Sequence, residues 1–167
     1  MRGRLVDWRE EALAGRDDLR PVVPEALHVT LVFLGYRPEK EIPAIAEAAF
    51  GALRGLPPAT LAARAVVPLP KRGPRLFALD LEDEGGRSTA VARAASAALE
   101  SARFYEPERR PFWPHLTIAR VKRGARAAPL EVEPPADPFE AGLITLYRSH
   151  LSPRGARYEA LEQLQLP

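Results

Sequence analysis

Two stretches of this chain, Leu27-His28-Val29-Thr30-Leu31-Val32 and Pro114-His115-Leu116-Thr117-Ile118-Ala119, repeat one pattern at widely separated positions. Each follows a proline-containing turn and is rich in β-branched and apolar types, so each reads as a strand, over 27–34 and 115–121. On a strand, residues i and i+2 share a face. His28 therefore projects with Thr30, and His115 with Thr117, while Val29 and Leu116 point the other way, toward a core. Each element presents an imidazole and a hydroxyl side by side. Two such elements in one chain predict two related halves, each with its own strands and helix, set about a pseudo-two-fold axis.

Imidazole is the side chain best matched to proton transfer near neutral pH. A hydroxyl donates to a phosphate oxygen without adding charge. Two copies facing each other suit in-line displacement at phosphorus, one ring by the attacking oxygen and the other by the leaving oxygen. Such chemistry needs mostly positioning and electrostatic support. The third histidine, in His150-Leu151-Ser152, fits the short pattern but is followed at once by Pro153, and it reads as surface or turn. A metal site has little to work with: three histidines, no cysteine and no His-Glu-x-x-His. Gly85-Gly86 lacks the Lys-Ser/Thr of a phosphate-binding Walker loop.

Working outward, residues 4–18 read as a helix with Leu5, Trp8, Ala12 and Leu13 on one face. Pro21 and Pro24 end it in a turn. A second helix is expected over 39–54, with Ile42, Ile45, Ala49, Phe50 and Leu53 at helical spacing. Strands follow near 60–68 and 75–81, joined by a turn at 70–74. After the Gly85-Gly86 break comes an Ala-rich helix over 87–102. Pro107, Pro111 and Pro114 mark an irregular approach to the second His-x-Thr strand. Residues 123–138 read as loop, and 142–151 and 157–165 as closing strands around a turn at Pro153-Arg154-Gly155.

The chain has 167 residues, 46% hydrophobic and 28% charged, which suits one domain of two small lobes sharing a core. The formal net charge of +2 does not by itself call for nucleic acid. Only Lys40, Lys71 and Lys122 are lysines, so arginine carries most of the positive charge; arginine is also the better bidentate partner of phosphate. The absence of cysteine excludes disulfides and a cysteine nucleophile. No apolar run approaches the length of a membrane span. A soluble, cytoplasmic monomer with no membrane contact is the default expectation.

Leu27-His28-Val29-Thr30-Leu31-Val32-Phe33-Leu34-Gly35 and Pro114-His115-Leu116-Thr117-Ile118-Ala119-Arg120 resemble the two signatures of the two-histidine phosphoesterases. The likeness is greatest to the RNA 2′,3′-cyclic phosphodiesterase, or 2′-5′ RNA ligase, family. Leu146-Tyr147-x-Ser149 and Gly155-Ala156-x-Tyr158-Glu159 resemble that family's closing strands. The resemblance implies an α+β fold of two pseudo-symmetric lobes of antiparallel sheet, with outer helices and a central cleft. It implies hydrolysis of RNA ends bearing a 2′,3′-cyclic phosphate to 2′-phosphates, with no metal and no cofactor. On this sequence His28 would be the general acid and His115 the general base. Thr30, Thr117 and Arg120 would hold phosphate oxygens, and Phe33 would stack on a base. Phe33 and Arg120 each lie five residues after a histidine, so a regular strand aims them away from it, and a bulge or strand end is required.

One departure stands out. Family members open with an apolar strand, whereas this chain opens on the first helix; the expectation is a short N-terminus, a missing edge strand and an exposed sheet edge. Tyr36, Phe112 and Trp113 are further aromatic candidates for stacking, and Arg72, Arg75 and Arg110 for an electrostatic track. Two other readings stay open at this point. One is a 2′-5′ oligonucleotide or small cyclic-nucleotide phosphodiesterase, and the other a non-catalytic module that binds RNA ends.

Overall fold

In a computed structural model, which describes residues 2–152 and 155–167, the protein mixes three helices with antiparallel sheet. The helices are α1 (Arg2–Ala12), α2 (Ile42–Leu53) and α3 (Arg87–Ser101). The strands are β1 (Leu19–Pro21), β2 (Ala59–Leu69), β3 (Leu76–Asp83), β4 (His115–Val121), β5 (Phe139–Ala141), β6 (Leu143–Ser152) and β7 (Gly155–Gln165). One sheet runs in the order β1-β4-β3-β2-β5; β6 and β7 form a separate hairpin. The chain divides into two compact units. The first takes in the chain through Val29, Ala62–Glu82 and His115–Phe139; the second takes in Thr30–Leu61, Asp83–Pro114 and Glu140–Pro167.

The first unit is built on β4. Its partner β3 lies antiparallel, with Leu79 opposite Leu116 and Phe77 opposite Ala119. All four are buried and form one face of the sheet. β1 covers the other side of β4, pairing Leu19 with Val121 and Pro21 with Ala119. The prolines there signal a turn in the sequence, and the strand they belong to is not foreseen. Pro21 has no amide to offer a ladder and is tolerated because β1 is an edge. The two edges of the five-stranded sheet, β1 and β5, are three residues each. Residues Arg2–Ala12 are helical, and no strand precedes β1 among the described residues.

α1 stops six residues short of the expected 4–18. Gly15 takes φ +72°, a left-handed backbone that closes the turn after Leu13. Leu5 and Leu13 are buried as expected, but Arg9 between them is buried too. Its guanidinium donates to the carbonyl of Val22, on the stretch leading to His28. Arg16 reaches Asp18 through two hydrogen bonds of 2.8 and 2.7 Å and also donates to the carbonyls of Ala128 and Pro129. The stretch between β4 and β5 is irregular, as expected, and is tied down through such contacts; Trp8 adds another at the Glu133 carbonyl, 2.9 Å away.

The second unit packs α2 against α3. Leu53, Val91, Ala95 and Leu166 form its buried centre, with Leu31, Val32, Leu56, Ile144 and Leu164 against it. Here the expected strand over 27–34 fails. Only Val29 makes a ladder bridge, to Leu116, and the following residues leave the sheet. Leu31 and Val32, adjacent in sequence, both pack on the second unit's core, which a strand's alternation forbids. His150 is at the surface, as one of its two readings has it, but in a strand and not a turn: it lies within β6, opposite Arg157, and its Nε2 meets Glu159 at 2.7 Å. The turn expected at Pro153-Arg154 lies outside the described residues.

Candidate active site

β4 positions the second His-x-Thr pair as the pattern requires. His115 and Thr117 are half-buried on the face opposite Leu116. The parity of Arg120 is resolved by an irregularity in the ladder. Thr117 pairs with Ala78, yet the next residue of β3, Phe77, pairs with Ala119, so β4 holds one extra residue, Ile118. A bulge of this kind resets which side the following residues face. Directly opposed residues of antiparallel strands share a face. Asp80, Ala78 and Leu76 alternate regularly on β3 and oppose His115, Thr117 and Arg120. Those three therefore project together. The bulge also lets Ile118 and Ala119, consecutive in sequence, both be fully buried.

His28 reaches the same place by another route. After β1 the amide of Val22 still bonds the Ile118 carbonyl at 2.9 Å; a 3-10 turn at Pro24–Ala26 then takes up slack before Val29 bridges Leu116. That register puts His28 across from Thr117. Val29 takes the core side with Leu116, and His28 takes the side of His115 and Thr117. Nδ1 of His28 lies 2.8 Å from the carbonyl of Ala26. A carbonyl only accepts, so Nδ1 carries the proton, and Nε2 is the basic nitrogen of the neutral ring. Burial pushes the His28 pKa down; the Ala26 carbonyl opposes this, and the nearby His115 adds to the lowering. The two rings are thus electrostatic neighbours within one compact unit.

Thr30 and Phe33 belong to the second unit, and both are exposed. At 72% exposure Phe33 is not a core residue. Tyr36 and Trp113 are exposed as well, and Phe112 is half-buried.

Sequence reasoning missed two charged neighbours of this face. Asp80 stands directly across from His115 and accepts two hydrogen bonds from Arg64, of 3.1 and 2.7 Å. Arg20 stands directly across from Arg120. Beyond the end of β4 a groove is lined by Arg75, Lys122, Arg123 and Arg126. Only strand register could have revealed Asp80 and Arg20 as neighbours, and β1 carries no strand signal. Of the three arginines expected on an electrostatic track, Arg75 lines the groove, whereas Arg72 and Arg110 do not.

Among the described residues no helix is long and apolar enough to cross a membrane. A family model described as the 2′-5′ RNA ligase superfamily matches residues 2–152. An RNA 2′,3′-cyclic phosphodiesterase of Thermus thermophilus is 34% identical over 156 residues, covering 88% of this chain and 75% of that protein. Among solved structures, one from Thermus thermophilus superposes with a TM-score of 0.83 at 30% identity, covering 98% of this chain and 90% of that one. E. coli LigT complexed with 3′-AMP superposes with a TM-score of 0.77 at 26% identity, covering 99% and 90%. By the extent of these matches, this chain belongs to the 2′-5′ RNA ligase superfamily.

Proposed function

We propose that the chain, acting over its whole length as one two-lobed phosphoesterase domain, opens 2′,3′-cyclic phosphates at RNA ends to give 2′-phosphates. The observation that carries this reading is the placement of two imidazoles and the Thr117 hydroxyl on one face of one unit. Membership in the family and the named activity of the Thermus relative support the substrate class. Water attacks phosphorus in line with the bond to the 3′ oxygen. One imidazole takes the water's proton as the new bond between the water oxygen and phosphorus forms; the other gives a proton to the 3′ oxygen as its bond to phosphorus breaks. Thr117 and Arg120 hold the equatorial oxygens. The resemblance further gives Thr30 the role of a hydroxyl donor and Phe33 that of a base-stacking platform.

The resemblance makes His28 the acid and His115 the base. In the unliganded chain, however, the surroundings of His28 favour its neutral form with an accepting Nε2, the state a base needs. Single-variant pH–rate profiles decide the order, because the variant lacking the base loses the acid limb and the variant lacking the acid loses the alkaline limb.

The test is hydrolysis of an RNA oligonucleotide ending in a 2′,3′-cyclic phosphate, reading which oxygen keeps the phosphate. The expected product is the 2′-phosphate, formed equally well in EDTA. His28→Ala and His115→Ala should each cost about 10²–10⁴-fold in rate. Undiminished turnover in both variants would refute the mechanism.

A further inference from the structure

His28 and His115 do not have equivalent surroundings. His28 has a neutral acceptor: its Nδ1 donates to the Ala26 carbonyl at 2.8 Å, and that bond fixes which nitrogen is left for the substrate. Across the ladder from His115 stands a carboxylate, Asp80. Directly opposed residues of antiparallel strands hold their Cβ atoms about 4.5–5.5 Å apart on one face, near enough for a carboxylate and an imidazole to meet. Arg64 lies on β2, which neighbours β3 on the side away from β4. Both of its hydrogen bonds to Asp80 end on Oδ2, at 3.1 and 2.7 Å, so Oδ1 lies outside that ion pair. Asp80 is thus flanked by a guanidinium from one neighbouring strand and by His115 on the other. The Asp80 side chain is 13% exposed, whereas that of Arg64 is 67% exposed. Withdrawing a carboxylate from water is costly, and one largely solvated guanidinium offsets little of it. A pair that served only to join β2 to β3 could stand wholly at the surface. The other charged groups near this end of the face are His28 and Glu82. Glu82 is exposed, lies past the last β3 residue that β4 pairs, and pulls on Arg64. Arg120 and Arg20 stand five residues further along β4.

We propose that Asp80 is a positioning residue for the reaction: its carboxylate accepts the N–H of one ring nitrogen of His115 and so turns the other nitrogen toward phosphorus, while Arg64 fixes the carboxylate. This rests on the proposed function and adds a device to it. The requirement is the same whichever role His115 takes. As base, the ring must begin neutral with its proton on the nitrogen facing Asp80, so that the other nitrogen can take the proton of water. As acid, it gives the proton on the far nitrogen to the 3′ oxygen and is left in that same tautomer. Asp80 stays ionised throughout and exchanges no proton with the ring. An ionised aspartate only accepts. An asparagine in its place can also donate, and a donated hydrogen bond selects the opposite tautomer.

The experiment reads the tautomer of His115 by ¹⁵N NMR at alkaline pH, with His115→Gln identifying its signals, and reads the consequence in kcat and KM on an RNA end bearing a 2′,3′-cyclic phosphate. In the native protein His115 should be a single tautomer, one nitrogen protonated and the other bare. In Asp80→Asn the two tautomers should mix or invert, and kcat should fall about 10²-fold with KM little changed. Arg64→Gln, at an exposed side chain, should lower kcat in the same way by less, and should add nothing in the Asp80→Asn background, because the two residues act in series. A tautomer unmoved by Asp80→Asn would overturn the proposal. So would a lowered urea midpoint with kcat intact, which would leave Asp80 as a strand-joining ion pair. Additive losses in the double variant would overturn the part given to Arg64. Should Asp80→Asn not fold, Arg64→Gln decides: a loosened tautomer with lowered kcat supports the proposal, and an unmoved tautomer with full kcat overturns it. If the native protein leaves the cyclic phosphate intact, the functional reading falls, and the Asp80–His115 contact is then judged by the NMR alone.

Discussion

Burial works against a charge on His28, and the ring of His115 adds to that pressure against the pull of the Ala26 carbonyl. By NMR, His28 should therefore titrate below the ordinary histidine value of about 6.5. His115→Gln removes a neighbouring charge and should move that titration upward; an unmoved titration would mean that the rings do not face each other. A bound phosphate-ended nucleotide should move it upward too, since an anion favours the imidazolium. At this scale the sequence is informative where chemistry is carried by residue type and short spacing. The two His-x-Thr patterns are readable that way as candidates, whereas Arg120 enters only through the resemblance, because its spacing from His115 aims it away on a regular strand. The sequence is silent where a role comes from distant contact. Arg9 sits in α1 at the spacing of Leu5 and Leu13, and nothing local says that its guanidinium will be buried against the Val22 carbonyl. The side Arg120 faces depends on one extra residue in β4, whose only trace in the sequence is the apolar pair Ile118-Ala119.

Among the elements, α3 shows how a turn signal is legible only in part. Gly85-Gly86 reads as a break before the helix. Both glycines take positive φ, of 65° and 69°, and this folds Asp83 back over the helix start. Its carboxylate accepts from the amides of Ser88 and Thr89 at 2.8 Å and from the Thr89 hydroxyl at 2.7 Å. Burial alone would raise the carboxyl's pKa, but the Thr89 hydroxyl and these amides together hold it below the ordinary range. Asp83→Ala should cost about 1–2 kcal/mol of unfolding free energy. An undiminished urea midpoint would show that the cap contributes nothing. Helices and strands with clean periodicity, such as β4 and α3, are legible nearly to their ends. The segment 27–34 is not, because its composition is that of a strand while its side chains serve two different units. Periodicity cannot report a chain that changes allegiance at Val29.

For the molecule as a whole, its ionised groups set a stability profile with two separable steps in pH. Asp18 is held at about 2, chiefly by the hydrogen bonds from Arg16, although burial pushes the other way. A carboxyl whose folded pKa is depressed stabilises the fold above its unfolded value, near 3.9, and loses that contribution as pH falls through the folded value. Asp18 and Asp83 therefore place one step below about pH 4. His28 has the opposite sign of linkage. Its ring is favoured neutral in the fold, so the unfolded chain takes up the proton first as pH drops past about 6.5. Stability declines from there until the folded ring is protonated too, which places a second, shallower step above the carboxyl one. Urea midpoints measured from pH 8 to pH 3 should show both. His28→Gln should erase the upper step and leave the lower. Asp18→Asn should lower stability at neutral pH and flatten the lower step, because Arg16 would lose its ionised partner while keeping the carbonyls of Ala128 and Pro129. An upper step that survives His28→Gln would show that another group drives it, and would remove the case for a neutral His28 in the resting protein.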